Sequence, residues 1–149
     1  MPVINMQLQG QAQRPDGTLV TVHPTLVMQQ RGPVLQVTVG VSTLISTNLS
    51  QQGIAVPAPI AGWALIDTGA SGSCIDDMTA QQLSLPVIDV VQMASASHAA
   101  TQQNVYPAVL EVVGASIRIE VPRAMGATLQ SQGLIALIGR DLLQQCTLH

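Results

Sequence analysis

The chain has 149 residues, of which 47% are apolar and only 9% charged, with a formal net charge of −3. That length suits one domain with a real core, and charge so far below the roughly 25% of an average globular domain leaves Gln, Ser and Thr to carry solubility. With no lysine and no basic stripe, and no apolar run near the ~20 residues that cross a bilayer, the sequence argues against nucleic-acid binding and against a membrane span.

The N-terminus lacks the charged start and apolar stretch of a signal peptide, so a cytoplasmic location is expected. Residues 1–22 are polar and Gln-rich around a Pro15-Asp16-Gly17 turn, and read as an N-terminal extension with room for one weak strand. Residues 23–149 form the domain proper. Residues 26–30 and 34–41 read as strands flanking a turn at Arg31-Gly32-Pro33. In the second run Leu35, Val37, Val39 and Val41 alternate with Gln36 and Thr38, the pattern of a half-buried strand. Residues 44–60, with Ser, Thr, Asn, Gly and prolines, read as a loop.

An apolar strand at 63–66 then ends in Asp67. Asp76 and Asp77 precede a short helix expected at 78–83, which Pro86 ends. Residues 87–93 and 106–113 read as strands joined by an Ala/Ser/Gln segment. Strands follow at 117–121 and 134–138, and a helix at 140–145 after Gly139. The sum is an all-β chain of many short strands with one or two short helices and no internal repeat.

The segment Trp63-Ala64-Leu65-Ile66-Asp67-Thr68-Gly69-Ala70-Ser71 carries the chemistry. An apolar strand delivers one carboxylate, and small residues follow at once. Gly69, lacking Cβ, permits close approach and unusual dihedrals, and Thr68 adds a hydroxyl. A strand ending in an Asx-type turn would show the same tripeptide without any chemistry. Later, Leu137-Ile138-Gly139-Arg140-Asp141-Leu142-Leu143 runs from an apolar strand into a helix.

Together the two segments resemble the paired signatures of the retropepsins, the aspartic peptidases of retroviruses and their cellular and bacterial relatives. The second signature there is an apolar strand running into Gly-Arg-Asp/Asn. Residues 30–37 look like that family's first hairpin, and the likeness covers roughly residues 25–149. It implies a single-lobe closed barrel and an aspartic endopeptidase with Asp67 as catalytic aspartate. Thr68 and Gly69 would support the active-site loop, with Thr68 bonding across a dimer axis. Leu65, Ala70, Ser71 and Leu137 would contact substrate, and Arg140 would brace the dimer interface. Residues 94–103 would form the tip of a flap.

Aspartic peptidases activate water between two carboxylates that share one proton. The motif occurs once here, so the second Asp67 is expected from a homodimer partner, with a peptide or protein as substrate. No cofactor or metal is expected, because His23, His98 and His149 lack ligand spacing. Cys74 and Cys146 read as free thiols, with Cys74 packed or lining a pocket. The chain departs from viral members in carrying Ser71 where an acidic residue is usual, in having no glycine at the flap tip, and in leaving only residues 146–149 after the last helix. These departures keep a second reading open, a catalytically silent dimerisation or peptide-binding domain.

Overall fold

The computed structural model describes residues 10–95 and 98–146. It opens with a two-stranded hairpin, β1 (Gly10–Gln13) and β2 (Leu19–Val22), paired antiparallel. The Asp16 carboxylate closes the turn, accepting the Thr18 N–H at 2.9 Å and the Thr18 hydroxyl at 2.6 Å. Gly17 sits at φ 85°, the left-handed region that the turn requires.

The strand expected at 26–30 is instead a helix, α1 (Pro24–Arg31). Pro24 occupies its first turn, where a missing N–H costs nothing. Gly32 ends it at φ 73°, its N–H donating to the Met28 carbonyl at 2.8 Å. Arg31-Gly32-Pro33 is thus a helix stop rather than the bend of a hairpin. The helix carries the N-terminal hairpin, since a Cβ at Gly10 would lie 2.5 Å from Val27 Cγ2.

Strand β3 (Val34–Val41) follows, with Val37 and Val39 fully buried. The segment expected as a loop contains a second helix, α2 (Thr43–Gln51). Its first turn is satisfied from far away in sequence, because the Glu120 carboxylate accepts the Thr43 N–H at 3.2 Å. None of its residues is fully buried, so its apolar stripe is faint, although Ile45 packs against the core.

The remaining strands are β4 (Ile60–Ile66), β5 (Cys74–Asp76), β6 (Asp89–Ser95), β7 (His98–Val112), β8 (Ile117–Ala127) and β9 (Ala136–Ile138). With β3 they form one sheet in the order β3-β4-β9-β5-β8-β7-β6, and a further β3–β7 pairing closes six of the strands into a ring. β6 hangs outside the ring on β7. The main core fills the ring interior, with Val37, Val39, Ala64, Ile75, Val121 and Ala136 among its least exposed members. The architecture is all-β, as expected, but the described residues hold two helices more than the short pair foreseen.

Those short helices are α3 (Asp77–Gln82) and α4 (Arg140–Leu143). Of the two aspartates that precede the expected helix, Asp77 is the first residue of α3 and Asp76 caps it, accepting the Thr79 N–H at 3.1 Å. The same carboxylate accepts the N–H groups of Leu129 at 2.9 Å and Gln130 at 3.1 Å, fixing the turn before β9. Asp77 accepts the Tyr106 hydroxyl at 3.1 Å. β6 and β7 make the long hairpin expected as a flap, with Met93 opposite Thr101, and residues 96–97 of the proposed tip lie outside the described residues.

Because Asp76 is only 1% exposed, Asp76→Ala leaves three backbone donors without partners. Loss of the cap and of buried hydrogen bonds is expected to cost about 2–4 kcal/mol, measured as a lowered urea midpoint with an unchanged m-value.

Candidate active site

Asp67 stands at the end of β4, and the register of three strands explains what surrounds it. Leu65 lies beside Leu137 of β9, and Leu137 lies beside Cys74 of β5. Cross-strand neighbours share a face, so Leu65, Leu137 and Cys74 form a row of half-buried apolar groups. Residues two apart on a strand also share a face, which puts Trp63 and the start of the Asp67 loop on that side. The alternate residues Ala64, Ala136 and Ile75 point into the core. The row packs on a second, smaller apolar cluster of Val34, Leu129 and Leu134.

The Asp67 backbone continues the β4–β9 ladder by one bond, its N–H donating to the Ile138 carbonyl at 2.9 Å. Its side chain turns back over the loop. Oδ1 accepts the Gly69 N–H at 2.8 Å and the Ala70 N–H at 3.3 Å. Oδ2 accepts no hydrogen bond among the described residues, and the carboxylate is half-buried. Gly69 does not use a left-handed conformation, contrary to one of its two expected roles. What it permits is proximity, since a Cβ there would lie 3.1 Å from Asp67 Oδ1.

Thr68 and Ser71 are exposed, and neither side chain makes a hydrogen bond within the chain among the described residues. Ala70 is half-buried, and its carbonyl accepts the Arg140 N–H at 2.9 Å. The Arg140 side chain is exposed and forms no ion pair among the described residues. The loop and α4 are in backbone contact, because a Cβ on Gly139 would lie 2.6 Å from the Gly72 carbonyl oxygen. Only glycine fits there.

Other carboxylates near the loop are already engaged. Asp141 is bonded by Ser73 and Leu142, and Asp76 by Thr79, Leu129 and Gln130. Among the described residues one chain therefore offers a single carboxylate oxygen without a hydrogen bond at this site, Asp67 Oδ2. Among the described residues no three His, Cys, Asp or Glu side chains converge as metal ligands would.

Both cysteines are free. Burial pushes the Cys74 thiol above its usual range, and the negative charges of Asp141 and Asp67 push it further. Such a thiol holds little thiolate at neutral pH and is a poor nucleophile, which fits Cys74 as part of the apolar row. The sequence reading did not single out Ser73, Gly72 or Asp141 as parts of the loop. Asp141 sits inside the quoted second motif, which was the signal available for it.

The family model described as retroviral aspartyl protease matches residues 29–149. The chain belongs to that family. No curated protein matches it in sequence. Among solved structures it is similar to the EIAV protease in complex with the inhibitor HBY-793, at 18% identity and TM-score 0.45, covering 78% of this chain and 91% of that one. It is similar to the retroviral protease-like domain of Ddi1 from Leishmania major, at 15% identity and TM-score 0.39, covering 75% and 76%. A retropepsin-like aspartic protease from Rickettsia conorii is similar at 16% identity and TM-score 0.37, covering 97% and 86%.

The proximity of Cys74 to Asp67 has a measurable consequence. Alkylation requires thiolate, and Asp67→Asn removes one of the charges that raise the Cys74 pKa. The variant's Cys74 is expected to react with iodoacetamide a few-fold faster at pH 8, read by mass spectrometry of the peptide. An unchanged rate would show that the two groups do not feel each other.

Proposed function

We infer that the protein is an aspartic endopeptidase that works as a homodimer, hydrolysing peptide bonds with water activated between two Asp67 carboxylates. The observation that carries this reading is the Asp67 carboxylate itself. It is held by the Gly69 and Ala70 N–H groups on Oδ1, while Oδ2 accepts nothing within the chain among the described residues. Every other acidic group near the loop is occupied by its own chain. A second carboxylate then has one source, a second copy across a two-fold axis.

Two like charges about 3 Å apart do not both ionise, so the pair shares one proton. The ionised member accepts a proton from water as the water attacks the scissile carbonyl. The protonated member donates to the carbonyl oxygen, and the tetrahedral intermediate then collapses to amine and acid. The macroscopic pKa values belong to the pair.

The other residues take their roles around that step. Exposed Thr68 bonds across the axis and locks the two loops together. Ala70 and Ser71 flank the substrate backbone, and Leu65 and Leu137 wall the side-chain pockets. Arg140, exposed and unpaired within the described residues, braces the partner subunit. Residues 1–22 serve as an extension to the peptidase domain of residues 23–149, in keeping with a family match that starts at residue 29.

Asp67→Asn is expected to lower cleavage of a peptide library by about 10²–10⁴-fold while the melting temperature holds or rises, because repulsion between paired carboxylates is removed. Retention of near-wild-type cleavage would sink the assignment. Absence of cleavage by the wild type across acidic pH would favour the silent-domain reading instead.

Activity should be bell-shaped in pH, with its optimum on the acidic side, since one proton must sit between two carboxylates. Sedimentation across a concentration series beside the same assay should show activity rising with the dimer fraction. Full activity in a wholly monomeric sample would overturn the two-chain site.

A further inference from the structure

Ser73 is a polar residue only 1% exposed, at the exit of the Asp67 loop, and three elements converge on it. Its N–H donates to Asp141 Oδ2 at 3.0 Å and its hydroxyl donates to Asp141 Oδ1 at 2.7 Å. The same Oγ accepts the Gly139 N–H at 2.9 Å, and the Ser73 carbonyl accepts the Met125 N–H at 3.1 Å. Asp141 Oδ1 also accepts the Leu142 N–H at 2.9 Å. Every polar atom of Ser73 is therefore committed.

These bonds have one geometric effect. The Asp67 loop is tied at its start by Asp67 N–H to the Ile138 carbonyl, and at its middle by Arg140 N–H to the Ala70 carbonyl, both at 2.9 Å. Its exit is tied to α4 through Ser73, by way of Gly139 and Asp141, while the Ser73 carbonyl joins it to Met125 of β8. With Gly139 packed against the Gly72 carbonyl, the loop and the first turn of α4 form one unit. Loss of the third tie frees the loop to shift relative to the ladder that aims Asp67.

We propose that Ser73 and Asp141 are positioning residues for Asp67, a hydrogen-bonded clamp that sets where the carboxylate stands without touching substrate. The hydroxyl is polarised in one sense. Because Oγ accepts from Gly139, its single proton goes to Asp141, and the carboxylate serves as a pure acceptor for three donors. An amide does not replace it in either orientation. In one, its NH2 faces the Ser73 N–H, and in the other it faces the Leu142 N–H. Displacements of about 1 Å at a catalytic group cost on the order of 10²-fold in rate, so a clamp of this kind acts on kcat more than on KM.

The proposal rests on the peptidase reading, and the experiment separates the two. Wild type, Ser73→Ala, Ser73→Thr and Asp141→Asn are assayed for kcat and KM beside Asp67→Asn as the inactive reference. Amide hydrogen exchange is followed at Gly69, Ala70 and Arg140. Ser73→Ala and Asp141→Asn are expected to lose about tenfold or more in kcat with KM changed little, and to exchange faster at those three amides. Ser73→Thr, which keeps the hydroxyl, should restore both readouts. The clamp is overturned if Ser73→Ala keeps kcat, if exchange at the loop is unchanged, or if Ser73→Thr fails as fully as Ser73→Ala while folded. If the wild type cleaves nothing, the peptidase reading falls and the exchange measurement alone decides the clamp.

Discussion

Strand β9 is the constraint on which the site depends. It is only three residues long, Ala136, Leu137 and Ile138, yet it is hydrogen-bonded on both sides, parallel to β4 and antiparallel to β5. Parallel pairing cannot be made by a tight turn and requires a long connection, so everything from β5 to β8 lies between the two partners. Closing so long a segment costs entropy that local contacts do not return. The return comes from burial, with Ala136 fully buried and Ile138 nearly so. Leu137, between them, faces the other way and joins Leu65 and Cys74 beside the Asp67 loop. One short strand thus supplies core, part of the half-buried apolar row beside Asp67 and the carbonyl that takes the Asp67 N–H.

A chain this poor in charge stabilises its interior with neutral or one-sided hydrogen bonds rather than ion pairs. Asp76, Asp77 and Asp141 each receive donors from backbone or hydroxyl groups. The ion pairs among the described residues, Arg118 with Glu111 and Glu120 and Arg123 with Asp89, lie on exposed strand surfaces. Such pairs contribute little to stability. Asp76 and Asp141 do more, because each fixes a loop end whose backbone donors would otherwise be orphaned. The Glu120 carboxylate at the start of α2 is the surface counterpart of the same device.

The two helices that the sequence reading misses fail for different physical reasons. The residues of α1 are compatible with a strand, and Arg31-Gly32-Pro33 is compatible with a hairpin bend. The discriminating signal was present, a proline at the helix start and a glycine just past its end. For α2 the signal was weak within the segment itself. Its cap acceptor, Glu120, is far along the chain, and its exposed faces blur the apolar period. β5 was also missed, since three residues between a loop and a helix leave too short a pattern to read.

The sequence by itself determined the strand ending in Asp67, the alternation of β3, a helix opened by the Asp76-Asp77 pair and the pairing of two motifs that marks the family. These are local properties, set by side-chain period, small-residue tolerance and hydrogen-bonding type within a few positions. Only the tertiary structure decided that Gly69 serves close approach rather than a left-handed turn, and that Gly139 is needed because Gly72 passes beneath it. It likewise decided that Ser73 and Asp141 meet, and that Leu65, Leu137 and Cys74 form one row. Those outcomes depend on the register of β4, β9 and β5, and register is a relation between distant segments that no single stretch of sequence encodes.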